Sequence, residues 1–190
     1  MSPDTRPLTV LTTDRLHLRL HTRADVGALH GIYSQEDVAR YLLNDPWTAE
    51  DAARHVADRC VKTGVDGGSG ALAVVIERDG RVVGDVLLWW TDRERRIAEI
   101  GWVLDPAYGG QGLAREAVSA VLDLAFRRYR AHRVAAQMDA RNAASSRLAA
   151  AVGMTREAHL RQDWWNKGEW TDTVIYGVLA EDRAHCPELS

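Results

Sequence analysis

The sequence predicts an α+β fold, a three-layer arrangement in which a mixed, mostly antiparallel seven-stranded sheet carries helices on both faces. Three observations predict it. Residues 71–104 read as three strands in a row with no helix between them, which makes an antiparallel meander. A Gly-rich loop and a long amphipathic helix then interrupt the meander. Arg133–Asp139 follows that helix as another strand, so it runs parallel to the strand before the helix.

The elements follow in order. Leu16, Leu18 and Leu20 alternate with polar residues, the period of a half-buried strand over Arg15–His21. Thr22 offers an N-cap to a helix marked by Val26, Leu29, Ile32 and Tyr33. Thr48 and Asp51 form a capping-box pair for a second helix, with Ala52, Val56 and Cys60 on one face and Gly64 as its stop. Asp66–Gly70 is a flexible connector. Ala71–Glu77 and Arg81–Trp90 are strands joined at Asp79-Gly80, a strong hairpin signal. Ile97–Leu104 follows a charged turn. Ala114, Ala117, Val118, Val121, Leu122, Ala125 and Phe126 then mark the long helix. After Arg133–Asp139 come a helix at Asn142–Val152 with Gly153 as its C-cap, and two last strands, Arg156–Trp165 and Trp170–Leu179.

A chain of 190 residues has the length of one domain and can bury a core without disulfides. Its net charge of −3 provides no global field toward nucleic acid or an anionic membrane. The two cysteines, Cys60 and Cys186, make neither a disulfide framework nor a metal pattern, and the histidines show no metal spacing. The N-terminal MSPDTRPLTV lacks the apolar core of a secretion signal, and no apolar run approaches the roughly 18 residues of a membrane span. The expectation is a cytoplasmic protein with no metal, nucleic-acid or membrane partner.

The densest information lies in Asp105–Glu116, DPAYGGQGLARE. Gly109, Gly110 and Gly112 let backbone N–H groups approach a ligand, and the helix that starts at once puts its positive end there. That suits a phosphate, although a tight turn is the plainer reading. A P-loop is excluded, because no Gly-Lys pair occurs in the chain. A dinucleotide fingerprint fits Gly110-x-Gly112 but then meets Arg115, and the loop follows a meander rather than a first strand. A dinucleotide-binding oxidoreductase is therefore the weaker alternative.

DPAYGGQGLAREA resembles the cofactor loop of the GNAT superfamily of acyl-CoA N-acyltransferases. The resemblance extends over about residues 11–180 and includes the later Arg141-Asn142-Ala143-Ala144-Ser145…Gly153-Met154. That N-x-x-S…G segment, with the leading TTDRLHLR, is most similar to the branch that acetylates ribosomal-protein N-termini (RimJ/RimL-like). The resemblance implies one acetyltransferase domain over 1–190, with 1–10 and 181–190 as loose termini, and splayed parallel strands that admit acetyl-CoA. The amides around Gly109, Gly110, Gln111, Gly112, Leu113, Ala114 and Arg115 would bind the coenzyme A pyrophosphate. Trp102, Val103 and Leu104 would pair with the pantetheine arm, and Asn142 would orient the cofactor or cap its helix. Gly109 departs from the family, which often carries Arg or Gln there.

Direct acyl transfer requires a base for the ammonium proton, a donor for the oxyanion and an acid for the thiolate. The resemblance gives the base role to Glu99 and the carbonyl-polarising N–H to Val103 or Leu104. Many members carry a tyrosine acid where this chain has Ala149; the near branch uses a serine, which maps to Ser145. The plain alternatives are an outward strand carboxylate for Glu99 and local capping for Ser145. Acceptor contacts by resemblance are Asp45, Trp47, Asp163, Trp164 and Trp170, with core packing or a homodimer surface as the alternative for the tryptophans. The expected acceptor is a primary amine, either a protein N-terminus or a small molecule. A non-catalytic acyl-CoA-binding module is the alternative from another class.

Overall fold

The computed structural model of the chain describes residues 8–184. Its strands are β1 (Thr9–Thr12), β2 (His17–Leu20), β3 (Thr63–Gly64), β4 (Ala71–Arg78), β5 (Arg81–Asp92), β6 (Ile97–Leu104), β7 (Arg133–Asp139), β8 (Thr155–Asn166) and β9 (Glu169–Leu179). Its helices are α1 (Val26–Tyr33), α2 (Glu36–Ala39), α3 (Ala49–Cys60), α4 (Leu113–Arg127), α5 (Ala143–Ala151) and α6 (Ala180–Ala184). The strands form one sheet in the order β1-β2-β4-β5-β6-β7-β9-β8, with β3 beside β4. Every pairing is antiparallel except β6 with β7.

Among the described residues the sheet has nine strands rather than the expected seven. The two additions are short and are created by their partners. Thr9–Thr12 lies against β2, and Thr63–Gly64 pairs with Leu72 and Ala71. Gly64 is thus a strand residue; α3 stops earlier, with Val61 in the helical region as its C-cap. The expected loose ends also differ where they are described. Thr9 already belongs to β1, and Arg183 on α6 anchors to Asp123 and to the Val152 carbonyl. Residues 1–7 and 185–190, including Cys186, lie outside the described residues.

Local chemistry explains several boundaries. Thr48 accepts from Asp51 N while Asp51 Oδ2 accepts from Thr48 N, both at 3.1 Å, which completes the capping box that starts α3. Asp79 (φ 50) and Gly80 (φ 74) both take left-handed conformations, as the two-residue turn between β4 and β5 demands. β4 is buried on both faces along Ala71–Ile76, which marks it as a central strand with helices above and below. On one side α4 contributes Leu113, Ala117, Val118, Val121, Leu122 and Ala125 to the main core. A second core joins Leu29, Ile32 and Tyr33 of α1 to Trp47 and to Ala52 and Val56 of α3.

A charged group sits at the base of the second core. Asp85 on β5 is fully buried. Tyr33 donates to its Oδ1 at 2.6 Å, and Arg59 Nη1 lies 2.6 Å from Oδ2, an ion pair whose angle is poor for a hydrogen bond. Arg59 also donates to Tyr33 Oη at 2.9 Å and covers the rings of Tyr33 and Trp47. His21 Nε2 is 3.6 Å from Asp85, yet burial pushes its pKa down to about 4, so it stays neutral near pH 7. Because a buried carboxylate requires its cation, this group ties α1 and α3 to β5.

The β5–β6 register depends on one glycine. Gly84 pairs with Leu104, and a Cβ on Gly84 would lie 2.2 Å from the Val103 carbonyl oxygen. Backbone cannot yield there as a flexible side chain would. Gly84→Ala is expected to destabilise the fold by about 1–3 kcal/mol, the usual cost of overpacking. Urea unfolding measures it, and an unchanged midpoint would show that the two strands tolerate separation.

Candidate active site

β6 and β7 pair through only three rungs, Ile97↔Arg133, Ala98↔Val134 and Glu99↔Ala135. Beyond Glu99 each strand keeps its outer partner, β5 or β9, while the two diverge. The result is a fork with Glu99 at its root. Asp105 N donates to Val83 O on β5, so strand alternation turns the N–H and C=O groups of Leu104, Trp102 and Ile100 the other way, toward the fork. The Trp102 and Leu104 side chains pack on the main core, which leaves their backbone as the part that faces the opening. Since β6 and β7 are parallel, the turns that follow them open at the same end, with the N-termini of α4 and α5 beside the fork.

The loop after β6 is shaped by its own residues. Asp105 Oδ1 accepts from Ala107 N at 3.1 Å and starts a 3-10 turn over Pro106–Tyr108. Gly110 (φ 73) and Gly112 (φ 77) are left-handed, which L side chains resist. Gly109 is extended, and a Cβ there would meet Pro106 O at 3.0 Å. Its departure from the family pattern thus matches a close approach within the turn. Gly112 is the N-cap of α4 and supplies no side-chain acceptor, and the helix ladder begins with Glu116 N to Gly112 O. The N–H groups of Leu113, Ala114 and Arg115 are therefore left for another acceptor, at the positive end of the helix dipole.

Two arginines that the sequence reading did not select hold this loop. Arg15 donates to Gln111 O at 2.9 Å and pairs with Glu116 at 2.6 Å. Glu116 also accepts from Thr13 Oγ1 and from Arg15 N. Burial opposes its charge, but these bonds hold its carboxyl below the ordinary range. Arg78 donates to Gln111 Oε1 at 2.6 Å. Only the fold brings residues 15 and 78 to position 111, so local pattern carries no signal for either.

Glu99 is half-buried, and Gln137 Nε2 on β7 donates to its Oε2 at 3.2 Å. Burial pushes its pKa up, opposed by that single bond. Trp89, the cross-strand partner of Glu99, lays its ring over Gly101 on the same face. Across the fork, Asn142 Oδ1 accepts from Ser145 N at 3.0 Å, so Asn142 is the N-cap of α5. Ser145 is half-buried in the first turn of that helix. Ala149 is fully buried in the core.

The acceptor candidates separate into three groups. Trp47 is 4% exposed and stacks between Tyr33 and His55, at 3.9 and 4.5 Å; the structure gives it the packing role, and it is not an open acceptor contact. Asp45 lines a cavity of about 430 Å³ with Glu36, Asp37, Arg40 and Lys167. Lys167 and Asn166 at the β8–β9 tip donate to Ala39 O and Leu42 O, so the last hairpin closes against the segment after α1. Asp163 Oδ1 is engaged by Thr173 N within the hairpin, whereas Trp164 and Trp170 are exposed.

Residues 15–155 match the acetyltransferase (GNAT) domain family. The chain belongs to the GNAT acetyltransferase family and is an acyltransferase. It is 28% identical over 176 residues to the uncharacterized N-acetyltransferase YnaD of Bacillus subtilis, which covers 90% of this chain and 98% of that protein. A GNAT-family acetyltransferase structure from Bacillus anthracis superposes with a TM-score of 0.81 at 28% identity, over 90% of this chain and 98% of that one. The ribosomal L7/L12 alpha-N-protein acetyltransferase RimL, solved with coenzyme A, superposes with a TM-score of 0.80 at 21% identity, over 90% of this chain and 98% of its own, a likeness of fold.

Glu116→Ala releases both Thr13 and Arg15. Because Arg15 is largely exposed, the expected loss of stability is modest, about 1 kcal/mol. The hydrogen-bonded amides of residues 117–120, in the first turns of α4, should exchange faster, which hydrogen-exchange mass spectrometry reads directly. Unchanged exchange across that segment would remove Glu116 from the role of loop anchor.

Proposed function

We propose that this acyltransferase moves an acetyl group from acetyl-CoA to a primary amine by direct attack in a ternary complex. The observation that carries the reading is the fork: an open strand edge that ends at an uncapped helix N-terminus, with a half-buried carboxyl at its root. The open amides of Leu113, Ala114 and Arg115, with the glycine loop that leads to them, fit a pyrophosphate, and the inward backbone of Trp102 and Leu104 fits an amide-bearing arm. When bound, acetyl-CoA supplies an activated acyl thioester.

The chain's own residues then have distinct work. Glu99 accepts the proton that the amine loses as its nitrogen bonds to the carbonyl carbon. Leu104 N–H, turned toward the fork, polarises the carbonyl oxygen. As the C–S bond breaks and the thiolate leaves, Ser145 Oγ donates a hydrogen bond to the departing sulfur. Asn142, already bound to the Ser145 amide, fixes the helix that presents that hydroxyl. On the acceptor side, Asp45 with Glu36 and Asp37 favours a cationic amine. The ligand set follows the family resemblance, and the close fold likeness to a coenzyme A complex supports it.

Two variants test the reading. Glu99→Gln should lower kcat about a hundredfold or more while coenzyme A affinity stays near wild type. In wild type the rate should fall with pH at values above the ordinary carboxylate range, because the Glu99 pKa is raised by burial and only its ionised form is a base. The variant should lose that acidic limb; a retained limb and wild-type turnover would remove Glu99 from the base role. Gly112→Asp should weaken coenzyme A binding at least about tenfold by strain, crowding and charge at the loop. Thiol release across a panel of amines and peptides reads activity. Coenzyme A binding without turnover on any acceptor would point to a binding module instead.

A further inference from the structure

At the far end of β6 and β7 from the cofactor loop, two distant stretches of chain meet. Residues 93–96 form the turn that enters β6, and residues 127–133 run from the end of α4 into β7. His132 N donates to Arg96 O at 2.9 Å and joins them. Together these stretches hold seven arginines and one acid, Glu94, in a chain whose net charge is −3. With Trp90 and Asp66 they line an open cavity of about 250 Å³, to which they contribute Arg93, Arg96, Arg128 and Tyr129.

The disposition of each guanidinium matters. Arg93 is fixed by the carbonyls of Asp66, at 2.8 Å, and Gly67, at 3.5 Å. Arg128 reaches Asp66 Oδ2 only at 4.0 Å and lies over the Tyr129 ring. The Arg96 guanidinium makes no hydrogen bond or ion pair with another described residue. Its backbone is left-handed, φ 56, where Gly or Asn would be at ease. A strained turn position thus carries an unpaired arginine beside the cavity. Asp66 offsets one charge of three, and the cavity keeps a surplus of two.

We propose that this cavity is a second anion site, which takes the phosphoryl group of a small phosphorylated ligand. The guanidinium forks of Arg96 and Arg128, with the charge of Arg93 held beside them by the Asp66 and Gly67 carbonyls, suit the three oxygens of a phosphoryl group better than the two of a carboxylate. Trp90 and Tyr129 supply apolar planar walls beside the charges, suited to a ring carried by the same ligand. Burial, reinforced by Asp66, pushes the Tyr129 hydroxyl pKa up, so it remains a donor. The inference does not depend on the donor or acceptor proposed above.

The test is titration calorimetry of the full chain at fixed ionic strength with two probes, inorganic pyrophosphate and ADP. Four proteins are compared: wild type, Gly112→Asp, Arg96→Gln/Arg128→Gln, and the double variant made in the Gly112→Asp background. Binding is expected in wild type and in Gly112→Asp, and should weaken at least about tenfold when the double variant is added to Gly112→Asp. The Arg96 guanidinium has no partner among the described residues, and Arg128 is exposed with only the Tyr129 ring and a distant Asp66 beside it, so the double variant should stay close to the wild-type melting curve. Arg96→Lys/Arg128→Lys, which retains charge without the fork, should recover only part of the affinity. ADP tighter than pyrophosphate identifies a ligand with a planar base; equal affinities identify a bare phosphoryl group. No binding of either probe to wild type overturns the site. So does binding that survives the double variant in the Gly112→Asp background, or that disappears in Gly112→Asp alone, since in the latter case it belongs to the cofactor loop. A protein that ignores coenzyme A yet binds pyrophosphate through Arg96 and Arg128 would overturn the proposed function and leave this site standing.

Discussion

Three rungs of parallel pairing hold β6 to β7, and the site exists because the pairing stops there. Each strand belongs to its own half of the sheet. β6 follows β5 through the tight register at Gly84, and β7 follows β9 through all seven of its residues. Sheet twist then carries the halves apart. The backbone that would have been spent on a fourth and fifth rung becomes free on the β6 side. Because the strands are parallel, both following turns land at that same opening, and α4 brings its unpaired amides there.

Charge compensation separates the structural carboxyls from the catalytic candidate. Asp85, Asp25, Glu116 and Asp139 each have an arginine at hydrogen-bond or ion-pair distance. For Asp25, Glu116 and Asp139 burial works against the charge, and the arginine with its hydrogen bonds outweighs it, so their pKa values fall. Glu99 is partly desolvated with only the neutral Gln137 amide as partner, and its pKa rises. A carboxyl placed beside an opening without a cation is poised to exchange a proton rather than to hold a fold together.

Much of this was legible in the sequence where the determinant is local. Ile97–Leu104 and Arg133–Asp139 emerge with their observed bounds, because a buried strand between turn signals carries its own pattern. The Thr48/Asp51 cap, the Asp79-Gly80 turn and the start of α4 after Gly112 have equally local causes. What escaped is what partners create. β1 and β3 are strands only because β2 and β4 offer an edge. Arg15 and Arg78 become loop anchors only when the fold brings them to Gln111. Trp47, adjacent in sequence to acceptor candidates, turns inward because Tyr33 and His55 form its stacking slot.

The outermost strand, β8, determines what kind of edge the sheet presents. It ends the sheet, it is exposed along most of its length, and Trp164 and Trp165 lie on it. A long, regular edge of that kind would recruit other strands. β8 is broken instead, by irregular register between Leu160 and Trp164 and a left-handed Gln162, with Asp172 gripping Gln162 N and His159, and Asp163 gripping Thr173 N. These clamps fold the middle of the strand onto its own hairpin and interrupt the row of amides that a second chain could zip onto. The exposed tryptophans therefore flank an interrupted edge rather than a continuous strand.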